Sequence, residues 1–312
     1  MVNLIRNENM KLYRRWRTWT MVGLMIIVVL LASFMEWYYD GKEVSGDAWM
    51  QQVQEDNKRI ERALADPDLE AEDKQYFEEQ VRLNTYRLDH GIRSEDGTMW
   101  DGINGSAELV ILITLFTVIV AGDSMAGEFS GGTIKLLLIR PSNRLKILVS
   151  KYVSMLMFGL LLLAILFIVS VLFNGLLYRF GFLDLPLLQI GADGQVVEKN
   201  MVANLWQSYL LNGVSTVMFV TMAFMISTAF RSSALAIGLS IFSLFAGAIM
   251  LELLQAYEWS KYLLFANLDL SLSERPYQEG MTTAFSVLVL SVYFIVFNLT
   301  SWLVFTRRDV AA

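Results

Sequence analysis

The chain has 312 residues, of which 55% are hydrophobic and 18% charged, and its mean hydropathy is +0.45. Soluble globular proteins contain about a quarter charged residues, so this composition excludes an ordinary soluble domain and points to a membrane. The chain has no cysteine, which excludes disulfides and thiol chemistry, and its single histidine, His90, argues against a zinc site built from protein ligands alone.

The segment before the first apolar run predicts an amphipathic helix. The residues that recur on one helical face are Ile5, Leu12, Trp16 and Trp19. Most of the basic residues lie off that face, so the helix is expected to lie flat on the membrane surface. A cleavable signal peptide is the competing interpretation, but no small-x-small cleavage site follows the apolar run.

Six apolar runs are long enough for a helix to cross the membrane, which takes about 20 residues. They cover about residues 18–38, 107–122, 152–177, 206–229, 234–254 and 284–305. None of them contains lysine or arginine, and the second is the shortest. The sequence therefore predicts an all-α polytopic membrane protein with one six-span domain over residues 1–312.

The charges of the connecting segments orient the chain. Residues 1–17 carry five basic residues and one acidic, and residues 123–151 carry five and two. In contrast, residues 41–104 carry eight basic and sixteen acidic residues, and residues 252–283 carry two and five. Because basic loops stay in the cytoplasm, we expect both termini to be cytoplasmic.

Residues 41–104, between the first two spans, predict an extracellular helical hairpin. Two helical faces are apolar: Trp49, Val53, Ile60 and Leu64 in the first half, and Phe77, Val81 and Leu88 in the second. Ala65-Asp66-Pro67-Asp68 separates the halves, with Asp68 as an N-cap. The hairpin is either a structural cap or a docking surface for a substrate or an extracellular partner. A later outer stretch, SKYLLFANLDLSL, is apolar but too short to span, and is expected to lie in the interface or to dip in and return.

The stretch GEFSGGTIK, residues 127–135, looks at first like a nucleotide-binding loop. A P-loop needs lysine directly after its second glycine, whereas here Gly132 is followed by Thr133 and the lysine comes later. An apolar span precedes the stretch, where a P-loop has a buried strand. The chain also lacks H-E-x-x-H, G-x-S-x-G and Cys/His pairs. We therefore expect no catalytic, cofactor or metal site, and no nucleic-acid partner.

The same region, residues 123–146, predicts an ordered cytoplasmic element. The expected signals are helix breaks at Gly127 and Gly131-Gly132, caps at Thr133 and Ser142, and a helix stop at Pro141. Anchoring at the membrane surface explains its basic residues. It does not explain the Gly-Gly-Thr turn or the apolar face Ile134-Leu137-Leu138, which is expected to be exposed and to bind a partner.

The stretch EFSGGTIKLLLIRPSNRLKILVSKY resembles the inner-loop signature of type-2 ABC transporter permeases. That signature reads roughly E-x-x-x-G-T-[IL]-[KR]-x-L-L-x-x-P-x-[ST]-R-x-x-[IL]-x-x-[ST]-K. The resemblance implies a coupling helix that inserts into a cleft of a separate ATPase subunit. The residues implied in this coupling are Glu128, Phe129, Gly132, Thr133, Ile134, Lys135, Leu137, Leu138, Pro141 and Arg144.

The resemblance also implies partners and a location. ATP and magnesium would sit in a pair of ABC ATPase subunits, and a second permease subunit would complete a homodimer or heterodimer in a bacterial plasma membrane. The expected function is ATP-driven export of an amphipathic peptide, drug or lipid-like substrate. Pathway candidates are Asn174, Asn212 and Asn298, each of which a helix-packing hydrogen bond also explains. The alternative is a non-transporting sensor or scaffold that binds a partner through the outer hairpin.

Overall fold

A computed structural model of the chain describes residues 1–39, 48–67, 69, 71–138, 143–191, 194–270, 277–278 and 280–307. It describes only the backbone of Ala71, Glu72, Leu137 and Leu138. The expected caps at Asp68 and Ser142 and the expected helix stop at Pro141 lie outside the described residues.

The described residues are mostly helical. The helices are α1 (Val2–Tyr13), α2 (Trp16–Tyr39), α3 (Ala48–Leu64), α4 (Ala71–His90), α5 (Met99–Ala107), α6 (Val110–Ser130), α7 (Ile134–Leu138), α8 (Arg144–Leu177), α9 (Met201–Ala229), α10 (Ser233–Leu254) and α11 (Thr283–Arg307). Two strands, β1 (Pro186–Ile190) and β2 (Val196–Asn200), lie between α8 and α9.

Six helical stretches in the described part of the chain are long and apolar enough to cross a membrane. They are Trp16–Tyr39, Met99–Ser130, Arg144–Leu177, Met201–Ala229, Ser233–Leu254 and Thr283–Arg307. Their length and composition confirm the predicted number of six. The chain is a polytopic, predominantly α-helical membrane protein.

The second spanning stretch differs most from its expected bounds of about 107–122. It consists of α5 and α6, and α6 continues to Ser130. Gly127, which was expected to break the helix, therefore lies inside it. Met125 and Ala126 on the same turn are fully buried, and this packing outweighs the helix penalty of one glycine, about 1 kcal/mol.

The chain divides into two compact units. The first consists of Met1–Ile26, Leu109–Leu166 and Ser208–Ala312. Within it α6 packs closely against α10, and a Cβ added at Gly122 would lie 3.2 Å from the Cα of Ile237. A glycine at this position therefore lets the two backbones approach.

The second unit consists of Ile27–Glu108 and Phe167–Gln207. Its helices α3 and α4 pack together, and the Nδ2 of Asn84 donates to the Oδ1 of Asn57 at 2.8 Å. The hydroxyl of Tyr86 on α4 donates to Glu198 of β2 at 3.1 Å. The described part of the predicted helical hairpin is therefore joined to a strand.

The β1–β2 ribbon is an element that the sequence analysis did not predict. Its strands pair antiparallel, from Pro186 opposite Asn200 to Ile190 opposite Val196. Gly194 has a φ of +74°, which glycine adopts without strain, and its amide donates to the carbonyl of Gly191 at 2.9 Å. Two short apolar runs separated by these glycines are a hairpin signal, so the all-α prediction is corrected at this element.

Candidate functional site

The turn between α6 and α7 is built on glycine. The amide of Gly131 donates to the carbonyl of Gly127 at 2.9 Å and that of Gly132 to Phe129 at 3.1 Å, which closes the end of α6. Gly132 has a φ of +69°, the left-handed conformation that commonly ends helices, and no atom lies within 4 Å of a Cβ added there. Backbone conformation therefore favours glycine at position 132.

Thr133, expected to cap α7, makes a different contact. Its hydroxyl donates to the carboxylate of Glu128 and lies 3.4 Å from that residue's carbonyl oxygen. Among the described hydrogen bonds, none joins this hydroxyl to an amide of α7. Thr133 thus ties the turn back to the end of α6.

Glu128 belongs to an ion-pair cluster, which consists of Glu8, Lys11, Glu128 and Lys151. The Nζ of Lys151 lies 2.9 Å from Glu8 Oε2 and 2.9 Å from Glu128 Oε1. The Nζ of Lys11 lies 3.1 Å from Glu8 Oε1 and 3.5 Å from Glu128 Oε1. The cluster therefore joins α1, α6 and α8 through charged side chains.

Burial makes the ion-pair cluster energetically important. The side chain of Lys151 is only 4% exposed, and those of Glu8 and Glu128 are 11% and 13% exposed. Burial alone would raise the pKa of Glu8, but the charges and hydrogen bonds of Lys151 and Lys11 outweigh it and lower that pKa. Removing one partner from a buried pair costs about 3–5 kcal/mol, because the other charge is left uncompensated.

A second ionic contact lies nearby on α6. The Asp123 carboxylate accepts from Arg15 at 3.1 Å, and also from Arg17 and from the hydroxyl of Ser233. Arg15 and Arg17 flank the start of α2, and Ser233 is the first residue of α10. Asp123 thus holds the beginnings of two spanning helices against the end of a third.

The two sets of contacts border an open groove of about 890 Å³, called here the polar groove. Its lining includes Lys11, Arg15, Arg17, Asp123, Glu128 and Thr133. Trp16 and Leu136 also line it, and their side chains are 85% and 68% exposed. The groove thus combines charged groups with two exposed apolar side chains.

The short helix α7 buries one apolar residue and exposes another. Ile134 is 5% exposed and packs in a cluster with Met125, Ile147, Leu148, Phe224 and Phe305. The expectation that Ile134 belongs to an exposed apolar face is therefore wrong, because the residue anchors α7 to the spanning helices. Leu136, which the sequence analysis did not single out, is the exposed apolar residue.

The remaining residues implied in coupling have different surroundings. Phe129 packs against the Ile134 cluster, and Lys135 is exposed. Arg144 donates to the carbonyl of Thr306 at 3.0 Å, which ties the start of α8 to α11. Leu137 and Leu138 lie in α7, but their side chains are outside the described part of the chain. Pro141 lies outside it altogether.

The three pathway candidates are not joined to one another by any described hydrogen bond. Asn174 is fully buried, and its Nδ2 donates to Ser33 and to the carbonyl of Ser170, both at 3.0 Å. The Nδ2 of Asn298 donates within its helix to the carbonyl of Phe294 at 2.9 Å. Asn212 is half-buried. The contacts of Asn174 and Asn298 are typical of helix packing.

An apolar groove of about 660 Å³ lies in the first unit between α8, α9 and α11. Leu163, Gly213, Val217 and Phe294 are among its lining residues. Thr216, one of its polar residues, bonds to Thr114 at 2.7 Å. The sequence analysis did not find this groove, because it depends on how three helices pack.

No group of three or more histidine, aspartate or glutamate side chains in the described residues is arranged to hold a metal ion.

The sequence analysis did not predict the ion-pair cluster. It assigned the loop's basic residues to anchoring and gave Glu8 no role. One signal was available: Glu8 is the single acidic residue in an otherwise basic segment, where an acidic side chain needs a local reason.

Comparison with known proteins identifies relatives over most of the chain. A family model described as "Protein of unknown function (DUF2705)" matches residues 76–311. The chain is 42% identical over 317 aligned positions, covering 100% of both chains, to the "Uncharacterized protein YhcI" of Bacillus subtilis (strain 168). It is 32% identical over 207 positions to the "Uncharacterized membrane protein YdbK" of the same organism. This second alignment covers 65% of this chain and 79% of the relative.

Proposed function

The chain belongs to the family described as protein of unknown function DUF2705, and on the resemblance of its inner loop to the type-2 ABC permease signature we propose that it is the membrane-spanning subunit of an ATP-driven ABC exporter. In this proposal a separate pair of ATPase subunits binds ATP and magnesium, and α7 inserts into a cleft of one of these subunits. A second permease subunit, identical or different, completes the transporter. The complex lies in a bacterial plasma membrane with both termini of this chain in the cytoplasm.

The observation that carries the proposal is the attachment of α7. Leu136 and Lys135 of this helix are exposed to solvent, while Ile134 packs among residues of the spanning helices. Thr133 and Glu128 join its base to α6, and Lys151 continues the connection to α8. A force applied to the exposed side of α7 would therefore reach the spanning helices through these contacts.

Transport then follows from a difference in binding. An ATPase pair that contacts α7 differently with and without ATP shifts the spanning helices between two arrangements by that difference in binding energy. Because the ion-pair cluster joins α1, α6 and α8, these elements are expected to move together. The proposed role of Glu128 and Lys151 is to position α7, and neither touches nucleotide.

The substrate proposed is amphipathic: a peptide, a drug or a lipid-like molecule carried outward. The apolar groove between α8, α9 and α11 supports an apolar substrate moiety, since its lining is almost entirely hydrocarbon. The described spans also hold few groups that suit a small ion. Of the three sequence candidates, the half-buried Asn212 remains a proposed polar contact along the route, whereas the contacts of Asn174 and Asn298 are those of helix packing.

Co-purification from the native membrane in mild detergent tests the proposal. The wild-type chain should bring down a protein with ATPase activity, and Leu136→Asp should release it, because a carboxylate replaces the exposed apolar contact of α7. Leu136→Met is the matched control, which keeps an apolar side chain of similar size and should retain the ATPase. If no ATPase associates with the wild-type chain, the proposal is wrong.

The second candidate, a sensor or scaffold, has one observation in its favour. The helices α3 and α4 and the β1–β2 ribbon form a folded body, joined by Tyr86 to Glu198 and by Arg82 to the carbonyl of Gly194 at 3.5 Å. Such a surface could bind a partner without transport. In that case the wild-type chain would co-purify with a binding partner that has no ATPase activity, and Leu136→Asp would leave the complex intact.

A further inference from the structure

The polar groove has more exposed positive charge than negative charge. The side chains of Lys11, Arg15 and Arg17 are 37%, 49% and 37% exposed. The two carboxylates of the groove, Asp123 and Glu128, are each 13% exposed. An incoming molecule therefore meets three partly exposed cations, each of which is paired on its inner side with a covered carboxylate.

The groove lies where spanning helices begin and end. Its lining includes Trp16, the first residue of α2; Asp123, the residue of α6 that follows the second apolar run; and Ser233, the first residue of α10. The ends of spanning helices lie at the level of lipid headgroups. Trp16 at 85% and Trp19 at 58% exposure fit the same depth, because tryptophan prefers the membrane–water interface.

Hydrogen-bonding capacity remains at the groove. Among the described residues, the Nε of Arg17 and the hydroxyl of Ser124 are covered and have no hydrogen-bond partner, and both residues line the groove. A planar guanidinium is well suited to bind phosphate through two parallel hydrogen bonds. The Nε of Arg17 can only donate and the hydroxyl of Ser124 can donate or accept, so both groups can bond to a phosphate oxygen.

From these observations we propose that the polar groove binds the phosphate headgroup of an anionic phospholipid from the membrane face on which α1 lies. Basic pockets between the ends of spanning helices are suited to such headgroups, and the lipid's chains can remain in the adjacent hydrocarbon. Lipid is favoured over an acidic protein segment because the groove opens at headgroup depth beside an exposed tryptophan. The inference holds whether or not the chain works with an ATPase.

Lipid binding to the purified full chain tests this assignment. Native mass spectrometry would count phosphatidylglycerol and phosphatidylcholine of equal chain length retained by the protein from mixed micelles. The variant is Arg15→Gln, and the matched control is Arg14→Gln, which removes the same charge from the neighbouring exposed residue outside the groove. Arg17 and Ser233 still bond to Asp123 in the variant, so the helix ends stay together.

The expected result is a preference of the wild-type chain for phosphatidylglycerol that falls about tenfold in Arg15→Gln, since a direct hydrogen bond from a charged donor to the phosphate is worth about 1.5 kcal/mol. Arg14→Gln should stay close to the wild-type value. Inorganic phosphate at millimolar concentration should not displace the lipid, which separates a headgroup site from a free-phosphate site.

Three results would overturn the assignment: equal retention of the two lipids by the wild-type chain, equal losses in the two variants, or displacement by inorganic phosphate. An Arg15→Gln chain that retains phosphatidylglycerol but loses a bound protein would show an acidic protein segment in the groove instead. Should Arg15→Gln fail to fold, Arg15→Lys against Arg14→Lys gives the same comparison. The lysine loses the guanidinium's paired hydrogen bonds at position 15 only.

Discussion

Lys151 is the residue on which the candidate site most depends. A lysine near a membrane surface is commonly an anchor with its ammonium group in water. Here the ammonium group is buried between Glu8 and Glu128, at 2.9 Å from each. Its role is therefore to hold α1 and α6 against α8, and any change in its charge acts on all three helices.

Replacing Lys151 by methionine should lower the free energy of unfolding by about 3–5 kcal/mol, because two buried carboxylates lose their shared cation. Lys146→Met on the same helix is the control: Lys146 is exposed, so the change should stay within about 0.5 kcal/mol. Chemical unfolding in detergent micelles measures both. Equal stability of the two variants would show that the buried contacts of Lys151 contribute nothing.

Glu8 gives the cluster a pH dependence. Its folded pKa is lowered from the ordinary 4.5, so its contribution to stability is present above that value and is lost as the pH falls through the lowered pKa. The stability difference between wild type and Glu8→Gln should therefore be constant near neutral pH and shrink below 4.5. Thermal unfolding over a pH series measures it. A difference that grows on acidification would contradict the ion-pair assignment.

At the scale of elements, the turn before α7 was largely predictable and the attachment of α7 was not. Gly131-Gly132 and Thr133 predict the end of one helix and the start of another. The structure has both, since α6 ends at Ser130 and α7 begins at Ile134. The burial of Ile134 depends on residues distant in sequence, such as Phe224 and Phe305. No local pattern contains that information.

The two-stranded ribbon shows the same limit. Its turn glycines are visible in the sequence, yet the sequence analysis made no prediction for the segment between the spans at about 152–177 and 206–229. The contact of Tyr86 with Glu198 joins the ribbon to α4 across more than a hundred residues. A hairpin that packs on a distant helix is therefore seen only once the fold is known.

Gly132→Ala should destabilise the chain by about 1–2 kcal/mol, because alanine is strained at a φ of +69°. No atom lies within 4 Å of the added Cβ, so the cost is conformational and Gly132→Asn should be milder. Gly238→Ala is the control, since it also meets no atom but lies within α10, where alanine is favoured by about 0.5–1 kcal/mol. Equal effects at both glycines would show that the turn conformation is unimportant.

At the scale of the whole molecule, the composition was the most informative signal. Six apolar stretches predicted six spanning helices, because the length of a spanning helix is set by the bilayer and the hydrophobic run is continuous. The ends of the spanning helices were less predictable. Both α6 and α8 extend beyond their apolar runs with polar residues such as Asp123 and Lys151, which make ion pairs with other helices.

The orientation of the chain is testable because it has no cysteine of its own. Single cysteines at Lys58 and His90, both exposed on α3 and α4, should react with a membrane-impermeant thiol reagent added outside intact cells. A cysteine at Asn143, exposed before α8, should react only after the membrane is permeabilised. Reaction at Asn143 from outside would invert the proposed topology.

Crosslinking from a photoreactive side chain at position 136 tests whether an ATPase binds α7, as proposed. Leu136 is 68% exposed on α7, and Leu288, 63% exposed on the spanning helix α11, serves as the control position. After illumination of native membranes, we expect an adduct between position 136 and an ATP-binding protein, with a yield that changes when ATP is added, and no such adduct from position 288. An adduct with an ATP-binding protein from both positions, or none from position 136, would contradict this proposal.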